Sequence, residues 1–536
     1  MDLGVDFGTT RTIVAYADRG NYPVVTFLDE RDDARDFFPS VVALRRGHLL
    51  YGFEGWAAAR EGAPLVRSFK RVLADPAVTA RTTIEVGGRD VRLLDVLIGY
   101  FDALRTALRT RSSLTDQIAV ATPVKTVVAV PAHAHGAQRF LTLEAFRRAG
   151  FHVAGMINEP SAAGFEYTHH RGKTVTSRRT RVIVYDLGGG TFDASLVSVD
   201  GTSHDVLDSL GVNHLGGDDF DDVLVACALK EAGVPRTAIT RRAYRELVDE
   251  CRAAKEHLAP QSKRLALGVG EEEVVVRVDE FYEAARPLVE ASIDAMAPLI
   301  EGLDEGEPDL TDIAGIYLVG GASGLPLVPR LLRERFGRRV HRSPYPAAST
   351  AIGLAIAADD DAGYSLRDRL SRGFGVFREA SAGQSLSFDA LLDRAATLPS
   401  TGHASVTRRY RAAHNVGWFR FVEYSDVDER GEPRGDIMPF AEVVFPFLRD
   451  LQVADVGAAM TRRAAAEKLR AVRVERSEAG PLIEETYAID PNGLVKVTIV
   501  DLDSGYSQTH SLQGFAPGRR GRLRLDAHDA VGSAST

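Results

Sequence analysis

The chain has 536 residues, of which 45% are hydrophobic and 26% charged, and its 65 basic and 74 acidic side chains give a net charge of -9. Such a length predicts two to four domains, and the acidic balance argues against a nucleic-acid binder, which normally has a basic surface. No apolar run approaches the roughly 20 residues of a membrane helix. We expect a reducing, cytoplasmic compartment, because the chain has only two cysteines and its first residues do not form an apolar signal core.

The first predicted element is a hairpin around an Asp-x-Gly-Thr turn. A strand enters Asp6-Phe7-Gly8-Thr9-Thr10, and a second leaves it through Ile13 to Tyr16. The pattern returns at Asp186-Leu187-Gly188-Gly189-Gly190-Thr191, again between two strand-like runs. Glycine allows close backbone approach, successive N–H groups form an anion-binding nest, and Asp can hold a hydrated Mg2+. Two such hairpins facing each other would hold a nucleotide triphosphate from both sides.

Two ionisable residues between the hairpins each allow two interpretations. Only eight of the 65 basic residues are lysine, so Lys70 is of interest as a compact ammonium that could contact a transferring phosphate. The simpler interpretation is a solvated surface base. Glu159 could orient a water near a γ-phosphate. Alone, its position before Pro160 and Ser161 favours a helix N-terminus instead.

Residues 1–358 alternate strand and helix patterns, which predicts an α/β architecture. Strands are expected at 41–44, 125–130, 182–185 and 316–319, and helices at 137–149, 218–231, 244–258 and 327–336. The glycine-rich segment from Leu318 to Gly324 is by itself consistent with an ordinary strand-to-helix turn. Its place after two phosphate-type hairpins favours a loop on the adenosine side of a nucleotide.

The sequence pattern changes after residue 358. Asp359-Asp360-Asp361 opens a predicted linker over 359–365, and short alternating segments predict a β-rich domain over 366–515. Asp490-Pro491-Asn492-Gly493 is a strong turn signal within that domain. An apolar stripe predicts a helical insertion near 454–472, and the Gly-, Arg- and Ser-rich tail over 516–536 is expected to be disordered.

These motifs together resemble the actin-like ATPase superfamily and, more closely, the DnaK-type, seventy-kilodalton heat-shock chaperones. The resemblance covers most of residues 1–358 and rests on the two hairpins, Val130-Pro131-Ala132, Ile157 to Ala163, and His214 to Asp221. It implies a two-lobed actin-like (ribonuclease H-like) ATPase domain followed by a β-sandwich-like peptide-binding domain. It further implies an ATP-dependent chaperone that uses ATP/ADP and Mg2+ to control binding of unfolded or extended peptide. A J-domain co-chaperone and an exchange factor are possible partners, and neither nucleic acid nor membrane is expected as a partner.

The resemblance also assigns roles to residues of this chain. It implies that Asp6 and Asp186 hold Mg2+ through water and that Lys70, Glu159, Asp186 and Thr191 form the catalytic set. Pro131 and Arg139 match the family's relay between nucleotide state and the second domain. The implied nucleotide contacts are Gly8, Thr9, Thr10, Gly188, Gly189, Gly190, Gly216, Gly217, Lys255, Gly320 and Gly321.

The chain departs from the family pattern at several positions. Arg11 replaces an Asn, Arg252 replaces a Glu, and Glu256 and Gly324 replace the two arginines that flank adenine. The acidic linker and the absence of a long helical lid after the β domain favour an alternative function, a nucleotide-gated regulatory scaffold for one dedicated partner. A small-metabolite kinase with the same hairpins, or a filament-forming actin-like protein, are further alternatives.

Overall fold

The computed structural model describes residues 1–118, 124–270, 272–370, 372–381, 384–394, 396–456 and 468–511. These residues form two compact units, each assembled from three segments of the chain. Unit 1 comprises 1–71, 102–133 and 151–366, and unit 2 comprises 72–101, 134–150 and the described residues from 367 onward. The sequence did not suggest that 72–101 and 134–150 would group with the C-terminal part. The predicted domain boundaries stay a prediction.

The helices and strands follow one another in short elements over the first half of the chain. In chain order they are β1 (Asp2–Phe7), β2 (Arg11–Tyr16), β3 (Phe27–Leu28), β4 (Ala34–Arg35), β5 (Phe38–Pro39), β6 (Val41–Arg45), β7 (His48–Tyr51), α1 (Gly52–Arg60), β8 (Leu65–Arg67), β9 (Thr83–Val86), β10 (Arg89–Arg92), α2 (Leu93–Thr110), β11 (Lys125–Val130), α3 (Gly136–Arg148), β12 (His152–Asn158), α4 (Glu159–Arg171), β13 (Arg181–Leu187), β14 (Thr191–Asp200), β15 (Ser203–Asn213), α5 (Gly217–Glu231) and α6 (Arg241–Glu256).

The second half begins with α/β elements and ends with strands. Its elements are β16 (Arg264–Val269), β17 (Glu272–Arg277), α7 (Val278–Ala295), β18 (Ile313–Val319), α8 (Leu327–Phe336), β19 (Val340–Arg342), α9 (Ser349–Ala358), β20 (Ser365–Arg367), β21 (Gly373–Ala380), β22 (Ser385–Leu392), β23 (Ala404–Arg411), β24 (Val416–Val427), β25 (Pro433–Pro446), α10 (Arg449–Val456), β26 (Leu482–Ile489), β27 (Val495–Asp501) and β28 (Ser507–Ser511). None of the helices in the described residues is long and apolar enough to span a membrane.

Two sheets of unit 1 repeat one arrangement. In the five-stranded sheet, ordered β12-β11-β1-β2-β5, β1 runs antiparallel to β2 and parallel to β11. In the six-stranded sheet, ordered β19-β18-β13-β14-β15-β20, β13 runs antiparallel to β14 and parallel to β18. Each sheet therefore carries one of the two predicted hairpins beside two parallel strands. The predicted α/β architecture is confirmed at this level.

Close helix packing fixes the position of the first hairpin. Helix α9 packs on β1 and on α4. A Cβ on Gly4 of β1 would lie 2.3 Å from Ala351 O, and one on Gly353 of α9 would lie 1.7 Å from Ala162 O of α4. Only glycine allows these backbones to approach so closely. The contact holds Asp6, at the end of β1, and Glu159, at the start of α4, on one framework.

Unit 2 contains two antiparallel four-stranded sheets, ordered β22-β21-β24-β25 and β23-β26-β27-β28. The sheets share one hydrophobic core, in which Phe374 and Phe421 from the first meet Ile483 and Tyr487 from the second. The strands of these sheets agree with the β-rich sequence pattern predicted after residue 366. Helix α10 begins before the predicted helical insertion and covers its residues 454–456, whereas residues 457–467 and the predicted tail over 516–536 lie outside the described residues.

Candidate active site

The two Asp-x-Gly-Thr turns have the same local geometry. Gly8 N donates to Arg11 O, and Gly188 N donates to Thr191 O, over 3.0 Å in each case. Within the described residues, the next two N–H groups of each turn, on Thr9, Thr10, Gly189 and Gly190, make no hydrogen bond. Consecutive unpaired N–H groups of this kind bind anions. Each turn therefore offers two adjacent donors to a negatively charged ligand.

The two turns lie against each other, although they are far apart in the sequence. A Cβ on Gly189 would lie 3.3 Å from both Thr10 Cγ2 and Thr10 Oγ1, and 3.8 Å from Thr9 Cβ. The predicted facing of the two hairpins is therefore confirmed. The unpaired N–H groups of both turns are brought into one region, where a polyanion could contact both.

Lys70 and Glu159 form a buried ion pair beside the first hairpin. Lys70 Nζ lies 2.7 Å from Glu159 Oε1, and the two side chains are 10% and 11% exposed. The interpretation of Lys70 as a solvated surface base is therefore wrong. Glu159 is the first residue of α4, so it both complements the helix dipole and pairs with the lysine. Burial disfavours the ammonium and by itself would lower the pKa of Lys70. Attraction to the carboxylates of Glu159, Asp6 and Asp193 is the larger effect, so the pKa of Lys70 is raised.

Three further carboxylates surround this pair. Burial raises the pKa of Asp6 to about 7, with repulsion from Glu159 adding to the shift. Burial and repulsion from Glu159, Asp193 and Asp6 raise the pKa of Asp186 well above its ordinary value. Burial, again helped by Glu159, raises the pKa of Asp193 to about 7. One ammonium does not neutralise four nearby carboxylates, so the cluster favours an additional cation.

The donor set fits a hydrated magnesium ion. Asp193 Oδ1 is buried and accepts no hydrogen bond within the described residues. Among those residues, no group of three or more His, Cys, Asp or Glu side chains is arranged to bind a metal directly. Mg2+ keeps several of its waters and prefers oxygen ligands. The cluster is therefore suited to a cation held by carboxylates through its water shell.

The start of α5 supports the second turn. Gly217 N donates to Gly188 O over 2.9 Å, and Asp218 N donates to Gly189 O over 2.8 Å. Gly216 N donates to Asp219 Oδ2 over 2.7 Å. These N–H groups are already used within the protein. A Cβ on Gly216 would lie 2.6 Å from Gly190 N, so this glycine is needed for close packing against the turn.

The third glycine-rich loop presses on the base of the second hairpin. Gly320 has a φ of +83°, and a Cβ there would lie 2.3 Å from Asp186 Oδ1 and 2.4 Å from Leu187 O. Gly321 is exposed and has open space at the same position. The loop thus holds Asp186 in place, which the sequence did not suggest. Its expected place on the adenosine side stays a prediction.

Several departures from the family pattern are ion-paired. Arg252 of α6 donates to Asp218 Oδ1 over 2.8 Å and to Asp221 Oδ2 over 2.9 Å. Lys255 Nζ lies 2.6 Å from Asp221 Oδ1 and also donates to Gly217 O. Arg252 and Lys255 therefore tie α6 to the start of α5. Arg11, at the start of β2, is ion-paired with Glu256 at the end of α6, so these two departures are partners of each other.

Sequence reasoning missed three side chains that hold the turns. Ser40 Oγ donates to Gly8 O over 2.9 Å. Arg71 Nη2 donates to Gly190 O over 3.2 Å. Asp193 faces Asp186 across the hairpin and is hydrogen-bonded by the Thr191 side chain. The hairpin register could have revealed Asp193, and Arg71 adjoins Lys70, but nothing in the sequence singles out Ser40.

Comparison with known proteins gives a consistent result. The family model described as Hsp70 protein matches residues 106–368. The chain is 32% identical over 377 residues to the chaperone protein HscA homolog of Burkholderia thailandensis, and 32% identical over 377 residues to the chaperone protein HscA of Salmonella agona. Each alignment covers 67% of this chain and 58% of the relative. The chain therefore spans less than two thirds of the length of the curated relatives it matches.

Proposed function

The chain belongs to the DnaK-type, seventy-kilodalton heat-shock (Hsp70) family, and on that basis we propose that it is an ATP-dependent, chaperone-like protein. Residues 1–358 act as a two-lobed actin-like ATPase domain, and residues 366–515 act as a β-sandwich-like peptide-binding domain. ATP binding and hydrolysis in the first control the binding of unfolded or extended peptide by the second.

The observation that carries this proposal is the pair of facing turns beside the Lys70–Glu159 ion pair. The turns carry four unpaired N–H groups, which in this proposal receive phosphate oxygens. Lys70 stabilises charge on the transferring phosphoryl group, and Glu159 orients the attacking water. Thr191 and the turn residues Gly8, Thr9, Thr10, Gly188, Gly189 and Gly190 position the phosphates. Such catalysis works by positioning and charge stabilisation, with little covalent chemistry by the protein.

Asp6 and Asp186 hold Mg2+ through its waters, and the ion supplies positive charge against the phosphate oxygens. The crowding of Asp6 and Asp186 with other buried carboxylates, which raises their pKa values, supports this role, because a bound cation would offset the repulsion between them. Lys255, Gly320 and Gly321 form the nucleoside side of the site, and Gly216 and Gly217 contact the nucleotide beside the second turn. Arg252 is ion-paired with Asp218, and Glu256 is ion-paired with Arg11; these pairings support an adenine contact different from the family's usual one.

Helix α3 offers a route for communication with the β domain. Within unit 2, Gly136 N donates to Glu423 Oε1 over 2.9 Å, and Arg139 Nη1 donates to Asn492 O over 3.3 Å. Arg139 is buried, and Asn492 belongs to the Asp490-Pro491-Asn492-Gly493 turn. Pro131 connects this helix to β11. We assign the relay to Pro131 and Arg139 on these contacts and on the family resemblance.

The proposal extends to partners and compartment. Extended peptides are the clients, and a J-domain co-chaperone and an exchange factor assist the cycle in the cytoplasm. The two relatives above are named as chaperone proteins, which supports the clients, whereas the assisting partners follow from the family resemblance and the compartment from the sequence.

The test is nucleotide binding and hydrolysis by the full chain, followed by peptide affinity in ATP and in ADP. We expect Mg2+-dependent ATP hydrolysis, its loss in Asp186→Ala, and weaker peptide binding in ATP than in ADP. Hydrolysis that requires an added small metabolite would instead indicate a kinase. Nucleotide binding without any peptide binding would indicate a scaffold. Absence of nucleotide binding would refute the proposal.

A further inference from the structure

A pocket opens in unit 2 beside the edges of its two sheets. Its volume is about 390 Å³, and its lining includes Asp389 of β22, Arg409 and Arg411 of β23, and Trp418 of β24. Strands β22 and β23 are the first strands of their sheets, and neither has a second neighbouring strand within the described residues. Edge strands have unpaired backbone groups that can bind an extended peptide.

The charged side chains in and behind the pocket differ in how deeply they are buried. Glu485 is fully buried and is paired with Arg378, whose side chain is 17% exposed. Asp389 is held at 3.0 Å by Arg378 and at 3.1 Å by Arg408. Tyr410 donates a hydrogen bond to Glu485. Asp389, which lines the pocket, and the buried Glu485, which is paired with the lining residues Arg378 and Tyr410, are thus already satisfied by internal partners.

The rim of the pocket carries exposed arginines. The Arg409 side chain is 67% exposed, whereas its partner Glu484 is 21% exposed. The Arg411 side chain is 66% exposed, and its partner Asp503 is 45% exposed. In both pairs the cation faces solvent more than the anion does. Ion pairs of solvent-exposed arginines add little to stability, so each arginine can exchange its partner for a ligand carboxylate.

Trp418 adds an aromatic surface to the pocket. It lines the same cavity and its side chain is only partly buried, so the exposed part of its ring can contact an apolar side chain of a bound chain.

From this arrangement we propose that the pocket selects extended peptides with acidic side chains, bound along the β22 and β23 edges by Arg409 and Arg411. The inference rests on the proposed peptide-binding function and adds the chemical class of the client. The peptide backbone pairs with the strand edge, and its apolar side chains lie on Trp418 and Tyr410. Its carboxylates, on alternate residues, reach Arg409 and Arg411, because these two arginines are two residues apart on the same face of β23.

The test measures the binding of fluorescent nine-residue peptides to the full chain in ADP by fluorescence anisotropy. One peptide alternates Val or Leu with Asp or Glu, a second replaces each acid with its amide, and a third replaces each acid with Lys. We expect the acidic peptide to bind about tenfold more tightly than the amide peptide, as for two charge-assisted contacts. The preference should shrink in high salt, because salt screens exposed charges.

The variant Arg409→Gln/Arg411→Gln should lose most of the preference while its affinity for the amide peptide changes less than about twofold. Arg430→Gln, at an exposed turn outside the pocket, is the matched control and should keep the preference. Circular dichroism and thermal melting establish that both variants are folded. A change of equal size in Arg430→Gln would overturn the assignment to Arg409 and Arg411.

The other outcomes separate this inference from the proposed function. Equal or tighter binding of the amide peptide would overturn the acidic preference and leave peptide binding intact. Binding of none of the three peptides, in protein that binds nucleotide, would overturn both. Tighter binding of a single-stranded oligonucleotide that displaces the acidic peptide would also overturn it, because the pocket would then select polyanions of another class.

Discussion

Lys70 Nζ lies 2.7 Å from Glu159 Oε1, and both side chains are about nine-tenths buried. Removing the ammonium leaves Glu159 among the carboxylates of Asp6, Asp186 and Asp193 without a counter-charge. Breaking a buried ion pair from one side typically costs about 3–5 kcal/mol. The pair is therefore important both for the proposed hydrolysis and for the stability of the site.

The first prediction concerns this pair. Lys70→Ala should slow ATP hydrolysis by about 100-fold or more, as for loss of one preorganised charge contact, while nucleotide still binds. Urea unfolding should show a lower stability than wild type. Glu159→Gln keeps an acceptor for Lys70, so it should slow hydrolysis with a smaller loss of stability. Lys230→Ala, at an exposed site on α5, is the control. Wild-type turnover in Lys70→Ala would refute the catalytic assignment.

The second prediction compares two adjacent glycines. Gly320→Ala forces a side chain into the left-handed region and places its Cβ 2.3 Å from Asp186 Oδ1. It should lower the free energy of unfolding by more than about 1 kcal/mol and weaken Mg2+-dependent nucleotide binding. Gly321→Ala meets open space and should behave like wild type. Calorimetry of nucleotide binding checks both variants, and equal effects would contradict the positioning role of Gly320.

The third prediction concerns the ion pair between Arg11 and Glu256. Its side chains are 36% and 40% exposed, so we expect a coupling energy of only about 0.2–1 kcal/mol. Arg11→Glu or Glu256→Arg alone should speed nucleotide release by about two- to fivefold, because each places like charges together across the first hairpin and α6. The double swap should restore the wild-type rate. Stopped-flow release of a fluorescent nucleotide measures this.

The control for the charge swap is Arg277→Glu, which alters an exposed ion pair with Asp279 at the start of α7. Its release rate should match wild type. Failure of the double swap to restore release would show that the two residues act independently.

The fourth prediction concerns pH. His204 is fully buried, its Nε2 lies 3.1 Å from Thr168 Oγ1, and burial lowers its pKa from 6.5 to about 4. The unfolded chain therefore takes up this proton first, so the stability that neutral His204 provides is present above pH 6.5 and is lost as pH falls toward 4. His204→Asn should lower stability at pH 7 and make the acid dependence shallower by up to about 1.4 kcal/mol per pH unit.

Variant and wild type must be compared directly, because buried Glu166 acts in the opposite direction. Burial raises the pKa of Glu166 to about 7, so the cost of its ionised form is relieved as pH falls through the same range. Urea unfolding at pH 7, 6 and 5 measures the difference. His152→Asn, at an exposed site on β12, should leave the slope unchanged. An unchanged slope in His204→Asn would refute the assignment.

The local elements of the site follow from short stretches of the sequence. The two hairpins were recognisable because the Asp-x-Gly-Thr turns and their flanking alternation are properties of a few consecutive residues. The helices around 137–149, 218–231 and 327–336 were recognisable for the same reason, and the observed α3, α5 and α8 agree with them to within one residue at each end. The strands beyond residue 366 followed from the same period-two pattern.

The partners of these side chains depend instead on how the elements pack in three dimensions. Lys70 pairs with Glu159, Arg11 with Glu256 and Arg71 with the second turn, and each contact joins segments that are distant in the chain. No local pattern encodes such partners, because they depend on how the sheets and helices pack. The placement of Gly320 against Asp186 is of the same kind. Short-range sterics and hydrogen bonding determine which turns, helices and strands form. Burial of the common core determines which charged side chains come together at one site.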